Sequence, residues 1–135
     1  MPRKILVVDD SELLHRMYDL VLMRYRQGGT SILHARNGSQ AVNLIHQNDD
    51  IELVLLDINM PVMNGLQTLD SLRVTKRLAQ LKVIMISTEG REDDVKHALA
   101  SGAHAYLTKP FNPSDLHELI ARQCGVPPPA AARMN

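Results

Sequence analysis

One cysteine, no tryptophan and a single phenylalanine leave little for disulfide or cofactor chemistry to use. A lone cysteine excludes an internal disulfide and any cysteine-rich zinc site, and Cys124, late on an expected helix, is read as a small packed or half-buried residue. Charge of either sign is also missing as an excess. Fifteen basic residues balance 15 acidic ones, so nothing in the overall charge points to nucleic acid or to an anionic membrane. No apolar run approaches the roughly 20 residues that a membrane helix needs. Met1-Pro2-Arg3-Lys4 leads into an apolar strand rather than a signal-peptide core, so a soluble cytoplasmic protein is expected. Neither a Gly-x-Gly-x-x-Gly nor a phosphate-loop lysine motif occurs, which speaks against a nucleotide enzyme. Seven methionines beside so few large rings fit an aliphatic, adaptable core. At 135 residues the chain has room for one core and one domain.

What is present is a regular alternation. Ile5-Leu6-Val7-Val8, Leu53-Val54-Leu55-Leu56 and Val83-Ile84-Met85-Ile86 are short, branched and almost wholly apolar, the pattern of parallel strands covered on both faces. Ser31 to Ala35 and Ala105 to Thr108 carry more polar side chains and suit the sheet edges. Helical periods fill the intervals. Leu13, Leu14, Met17, Val21 and Arg24 define one face; Ala41, Leu44 and Ile45 a second; Leu66, Leu69 and Leu72 a third; Val95, Ala98 and Leu99 a fourth; Leu116, Leu119 and Ile120 the last. Asn112 is placed to cap that last helix, with Pro113 at its first position and Asp115 in its first turn.

Five strand-helix units predict an α/β, doubly wound, flavodoxin-like three-layer sandwich with five parallel strands and five helices. With the second and fifth strands at the edges, the order is 2-1-3-4-5, and a ligand belongs beyond the carboxyl ends of the first and third strands, where the winding reverses. The domain is expected to occupy residues 1–125, and the Val-Pro-Pro-Pro-Ala-Ala-Ala segment after Gly125 opens a disordered tail over 126–135.

At the expected switch point stand three acids: Asp9 and Asp10 after the first strand and Asp57 at the end of the third. Two like charges about 4 Å apart repel by roughly 4 kcal/mol at an effective dielectric near 20, so three require a counter-charge. Oxygen-only ligands in an open loop suit Mg2+. Ser87-Thr88 ends the fourth strand and Thr108-Lys109-Pro110 the fifth, which adds a hydroxyl and an ammonium to the same rim. A carboxylate nucleophile, a metal and two further donors form a set suited to phosphoryl chemistry. Singly, each residue has a plainer reading as a helix cap or a solvated lysine. Their coincidence at four strand ends carries the inference.

The segments Val7-Val8-Asp9-Asp10-Ser11, Leu56-Asp57-Ile58-Asn59-Met60-Pro61-Val62-Met63-Asn64-Gly65, Met85-Ile86-Ser87-Thr88-Glu89 and Ala105-Tyr106-Leu107-Thr108-Lys109-Pro110-Phe111, in that order, resemble the bacterial response-regulator receiver domain, particularly its single-domain chemotaxis (CheY-like) members. The resemblance spans Lys4 to Cys124. It implies that Asp57 accepts a phosphoryl group from a sensor histidine kinase. It further implies that Asp10, Asp57 and the Asn59 carbonyl bind magnesium with Asp9 acting through water, that Ser87 and Lys109 hold the phosphoryl oxygens, and that the bond before Pro110 is cis. Ser87 and Tyr106 are implied as the switch, Asn59 and Glu89 as tuners of dephosphorylation. The output surface is expected on the fourth helix, fifth strand and fifth helix, with a protein target, no DNA, no membrane, and a monomer or weak dimer. Such a chain is a switch that phosphorylates and dephosphorylates itself slowly rather than an enzyme with turnover.

A haloacid-dehalogenase-like phosphatase uses similar groups, but its nucleophile follows the first strand with a second acid two residues on, whereas Asp57 follows the third and precedes Ile58-Asn59. A phosphorylation-independent interaction module would not need the full site. Six histidines, His15, His34, His46, His97, His104 and His117, show no metal-pair spacing and are read as ordinary, partly exposed residues. Arg73, Lys76 and Arg77 read as a solvated helix end.

Overall fold

Branched aliphatic runs without polar alternation are stable only where both sheet faces are covered, and the three such runs form the centre of the sheet. The computed structural model describes residues 2–60, 62–88 and 92–125. The expected tail, 126–135, and Glu89 lie outside the described residues. The elements are β1 (Lys4–Val8), α1 (Glu12–Val21), α2 (Met23–Gln27), β2 (Ser31–Ala35), α3 (Gly38–Gln47), β3 (Ile51–Asp57), α4 (Gly65–Val74), a 3-10 turn (Arg77–Gln80), β4 (Lys82–Ser87), α5 (Glu92–Ala100), β5 (Ala105–Thr108) and α6 (Pro113–Cys124). All strand pairs are parallel, in the order β2-β1-β3-β4-β5.

Alternate strand residues feed two cores. Leu6, Val8, Val54, Leu56, Val83 and Met85 meet Ala41 and Ile45 of α3, Leu69 and Leu72 of α4 and Ala98 of α5. Ile5, Val7, Leu53, Leu55, Ile84 and Ile86 meet Tyr18 of α1, Tyr25 of α2, and Leu116 and Ile120 of α6. This is the expected three-layer sandwich with its winding reversed between β1 and β3. Register places Val8 beside Leu56 and Asp57 beside Ile86, so the ends of β1, β3 and β4 finish together.

Several local expectations are corrected. Six α-helices and one 3-10 turn replace the five helices expected, because the first helix pauses at Leu22 (φ −94°, ψ 7°) before α2 resumes. Its inward stripe is His15, Tyr18, Leu22 and Tyr25, while Leu13, expected in the core, is 74% exposed. Leu99 of α5 is exposed as well. Asn112 stands at the N-cap of α6, but its side chain makes no cap bond, and its backbone carbonyl accepts from Asp115 and Leu116 instead. Arg77 is not simply solvated: its guanidinium donates to the Ile45 carbonyl in the last turn of α3, at 3.2 Å, where a cation is favoured.

Candidate functional site

Each acid is carried to the rim by the end of a buried strand. The Asp9 amide still follows the sheet ladder, donating to the Ala35 carbonyl at 3.1 Å. Its Oδ1 accepts from the Ser11 amide at 2.9 Å, and Ser11 in turn caps α1 by accepting from the Leu14 amide. The acidic loop is thereby tied to the start of a helix. Asp57 ends β3, and the chain beyond it returns through a turn whose Gly65 amide donates to the Ile58 carbonyl at 2.9 Å. Asn64 and Gln67 close a reciprocal capping box there. A Cβ on Gly65 would collide with the Asp57 carbonyl and stand 2.7 Å from the Ile58 Cα, so only glycine lets α4 start this close to the acid.

Asp9, Asp10 and Asp57 offer oxygens that all lie within 4.8 Å of one another. Asp9 and Asp57 are buried and Asp10 is exposed. Lys109 reaches across from the end of β5, its Nζ 2.8 Å from Asp9 Oδ2 and 3.5 Å from Asp57 Oδ1. Ser87 is buried at the end of β4 and accepts from the Asn59 side-chain amide at 3.3 Å. The Lys109 amide donates to the Ser87 carbonyl at 2.7 Å, which locks the two donors side by side. The Lys109-Pro110 bond is cis. Tyr106, partly buried on β5, packs against the α3, α4 and α5 core.

The Asp57 carboxyl is pushed up to about 6, chiefly by burial. Asp9 and Asp10 add to the rise, while Lys109 and the Asn59 backbone hydrogen bond oppose it. Among the described residues one ammonium faces the three acids, which leaves the cluster short of positive charge. The donors are all oxygen and one side remains open at Asp10, which fits a hard divalent cation that keeps part of its water. An apolar groove of about 470 Å³ lined by Leu14, Met17, Thr88, Lys109, Pro110 and Phe111 adjoins the site. A larger open depression, about 780 Å³, lies along the β2 edge between Asp19, Arg26 and His34, away from the acids.

Asp9, Asp10, Asp57, Asn59, Ser87 and Lys109 are thus brought together. Tyr106 stands on β5, in register with Met85 of β4. Reading the histidines as partly exposed fails for His15, which is 3% exposed and contacts the Asp9 carbonyl and His34. His15, Tyr18, Leu22 and Tyr25 share a spacing as helical as that of Leu14, Met17 and Val21.

The profile of the Response regulator receiver domain family matches residues 5–121. A chemotaxis protein CheY homolog of Campylobacter jejuni is 38% identical over 117 residues, covering 87% of this chain and 88% of that protein. Among solved structures, chemotaxis protein CheY4 of Vibrio cholerae superposes with a TM-score of 0.80 at 28% identity, covering 91% of this chain and 99% of that one. The CheX-CheY-BeF3-Mg complex of Borrelia burgdorferi gives 0.79 at 29% identity, covering 90% and 89%. Among the described residues no helix is long and apolar enough to cross a membrane. With an acid cluster at the switch point of a 2-1-3-4-5 sheet and a profile match over most of its length, the chain belongs to the response regulator receiver domain family, the phosphoacceptor switches of two-component signalling.

Proposed function

We propose that this chain acts in the cytoplasm, where Asp57 accepts a phosphoryl group from the phosphohistidine of a sensor kinase or phosphotransfer protein, and that the product alters a protein-binding face of this chain. The observation that carries the reading is the convergence of three acids, one lysine and one serine at four strand ends. An Asp57 carboxylate oxygen forms the new O–P bond as the N–P bond of the donor breaks. The imidazole nitrogen leaves with the electron pair, and the product is an acyl phosphate. Asp57 must be ionised to attack, so a carboxyl held near 6 is ready at neutral pH.

Asp10 and Asp57, with the Asn59 carbonyl and with Asp9 acting through water, would hold magnesium. Its part is to neutralise charge on the phosphoryl oxygens. Lys109 Nζ, already between Asp9 and Asp57, is in reach of one phosphoryl oxygen, and the Ser87 hydroxyl takes another on leaving the Asn59 amide. Asn59, and Glu89 beyond the described residues, tune the return of water. The Borrelia burgdorferi complex, in which a related receiver is crystallised with beryllium fluoride, magnesium and CheX, supports both the cofactor and a protein target.

A phosphoryl group that draws Ser87 inward leaves room behind it for Tyr106, which moves the surface of α5, β5 and α6. This is the output face expected from the sequence as fourth helix, fifth strand and fifth helix. Intact-mass measurement after incubation with magnesium and a small acyl phosphate is expected to show one phosphoryl adduct per chain, absent from Asp57→Asn. Repeated turnover of phosphate esters with no adduct would favour a phosphatase instead. Tyr106→Ala is expected to weaken phosphorylation-dependent capture of a target while leaving the adduct intact.

A further inference from the structure

A polar chain that is buried at His15 and half-buried at His34 and Asp19 lies behind the acidic loop and takes no part in the chemistry above. His15 sits on the inner face of α1 with its Nε2 2.7 Å from the Asp9 carbonyl oxygen. A carbonyl only accepts, so Nε2 carries the hydrogen. The His15 Nδ1 lies 2.6 Å from Nδ1 of His34 on the edge strand β2, the two rings meeting edge to face at 65°. His34 Nε2 is 2.9 Å from Asp19 Oδ1. Two ring nitrogens this close need one proton between them. With the hydrogen on Nε2 that the Asp9 carbonyl requires, the His15 ring is left to accept at Nδ1. The proton shared by the two Nδ1 atoms then sits on His34, whose far side faces Asp19. The hydrogen bonds then run in one direction, from His34 through His15 to Asp9.

The accepting carbonyl is the peptide group that joins Asp9 to Asp10. Its plane sets where both carboxylates point. The Asp9 amide is held by Ala35 and its side chain by Ser11 and Lys109, but the carbonyl lies past the last residue of β1 and His15 supplies its hydrogen bond. We propose that His15 is a positioning residue for the metal-binding acids, fixing the Asp9-Asp10 peptide through Nε2–H, and that His34 and Asp19 fix the tautomer that makes this bond. The proposal rests on the reading of the acids as a magnesium site. It extends that site to the β2 edge, where no group touches metal or phosphoryl.

The test is magnesium titration by calorimetry on the full chain, with His15→Met, His15→Gln and Asp57→Asn. Methionine matches the length of the ring but has no donor; glutamine presents an N–H at the reach of Nε2. His15→Met is expected to weaken magnesium binding about tenfold, the scale of one buried hydrogen bond, because binding must then order the loop. His15→Gln is expected to recover most of that loss. Ring-nitrogen NMR of the metal-free protein is expected to show His15 protonated on Nε2 alone, and a mixture of tautomers in His34→Phe. Unchanged affinity in His15→Met, equal losses in the Met and Gln variants, or a hydrogen on His15 Nδ1 would each overturn the proposal. Should His15→Met not fold, the glutamine variant and the ring-nitrogen spectra still decide. Wild-type protein that binds no magnesium, or Asp57→Asn that binds it equally well, overturns the reading of the site itself.

Discussion

Asp57 is a residue whose burial and function pull against each other. It is 5% exposed, and water excluded from its carboxylate is not replaced by enough positive charge, so its carboxyl is held up at about 6. The unfolded value is about 3.9. Between those limits the folded chain keeps a proton that the unfolded chain has lost, so stability falls as pH rises from about 4 to 6 and the penalty is complete above that. Asp57→Asn removes the penalty. Metal-free Asp57→Asn is expected to be more stable than wild type at pH 7.5, on the order of 3 kcal/mol, with the gain shrinking towards zero near pH 4, as read from urea unfolding. A gain independent of pH would rule out this cause. Val62 offers a second case at the same scale. It holds φ 69° although β-branched, and its side chain is 86% exposed. Val62→Gly is expected to leave unfolding stability unchanged or raise it by up to about 1 kcal/mol, whereas a loss would mean that the valine holds the loop.

Among the elements, the turn from β3 into α4 is the most constrained part of the site. Gly65→Ala places a methyl against backbone atoms of Asp57 and Ile58, which cannot rotate away as a side chain would. The expected cost is about 1–3 kcal/mol, together with loss of the Asp57 adduct by intact mass even at temperatures where the variant remains folded. An adduct formed at the wild-type rate would show that the turn yields without moving the acid. Asn64-Gly65 is a turn signal in the sequence, and the structure adds that Asn64 caps the helix that starts there. The first helix was legible only in part. Leu14, Met17 and Val21 form an apolar row that is half-buried against the core, while the fully buried row is His15, Tyr18, Leu22 and Tyr25, one position along. Counting apolar residues favours the first row, since a histidine and two tyrosines score as polar until their ring atoms find partners. His15 finds them at Asp9 and His34, and His34 lies on another strand, so periodicity along one helix could not supply the contact.

At the scale of the whole molecule, the central strands were readable because burial on both faces removes the polar alternation that confuses shorter segments. The site followed from strand order, since Asp9, Asp10, Asp57, Ser87 and Lys109 all stand at carboxyl ends of strands. The pause of the first helix at the buried Leu22, and the cation placed by Arg77 at the end of α3, depend on tertiary contacts that local sequence does not encode. The sheet also ties the site to global stability. β1, β3 and β4 are buried along their length, so repulsion among acids at their ends bears on the core itself, and a cation that relieves it should stabilise the entire domain. A ligand at 100 times its Kd adds about 2.7 kcal/mol, which for a domain of this size corresponds to roughly 10 °C in Tm. Magnesium is therefore expected to raise the wild-type Tm by several degrees at saturation, to have a smaller effect on Asp10→Asn, and to have almost none on Asp57→Asn. Sodium chloride at equal ionic strength controls for general screening; an equal rise with that salt would mean that the acids repel but do not bind, because screening needs no defined ligand geometry and would act on any surface cluster of this charge.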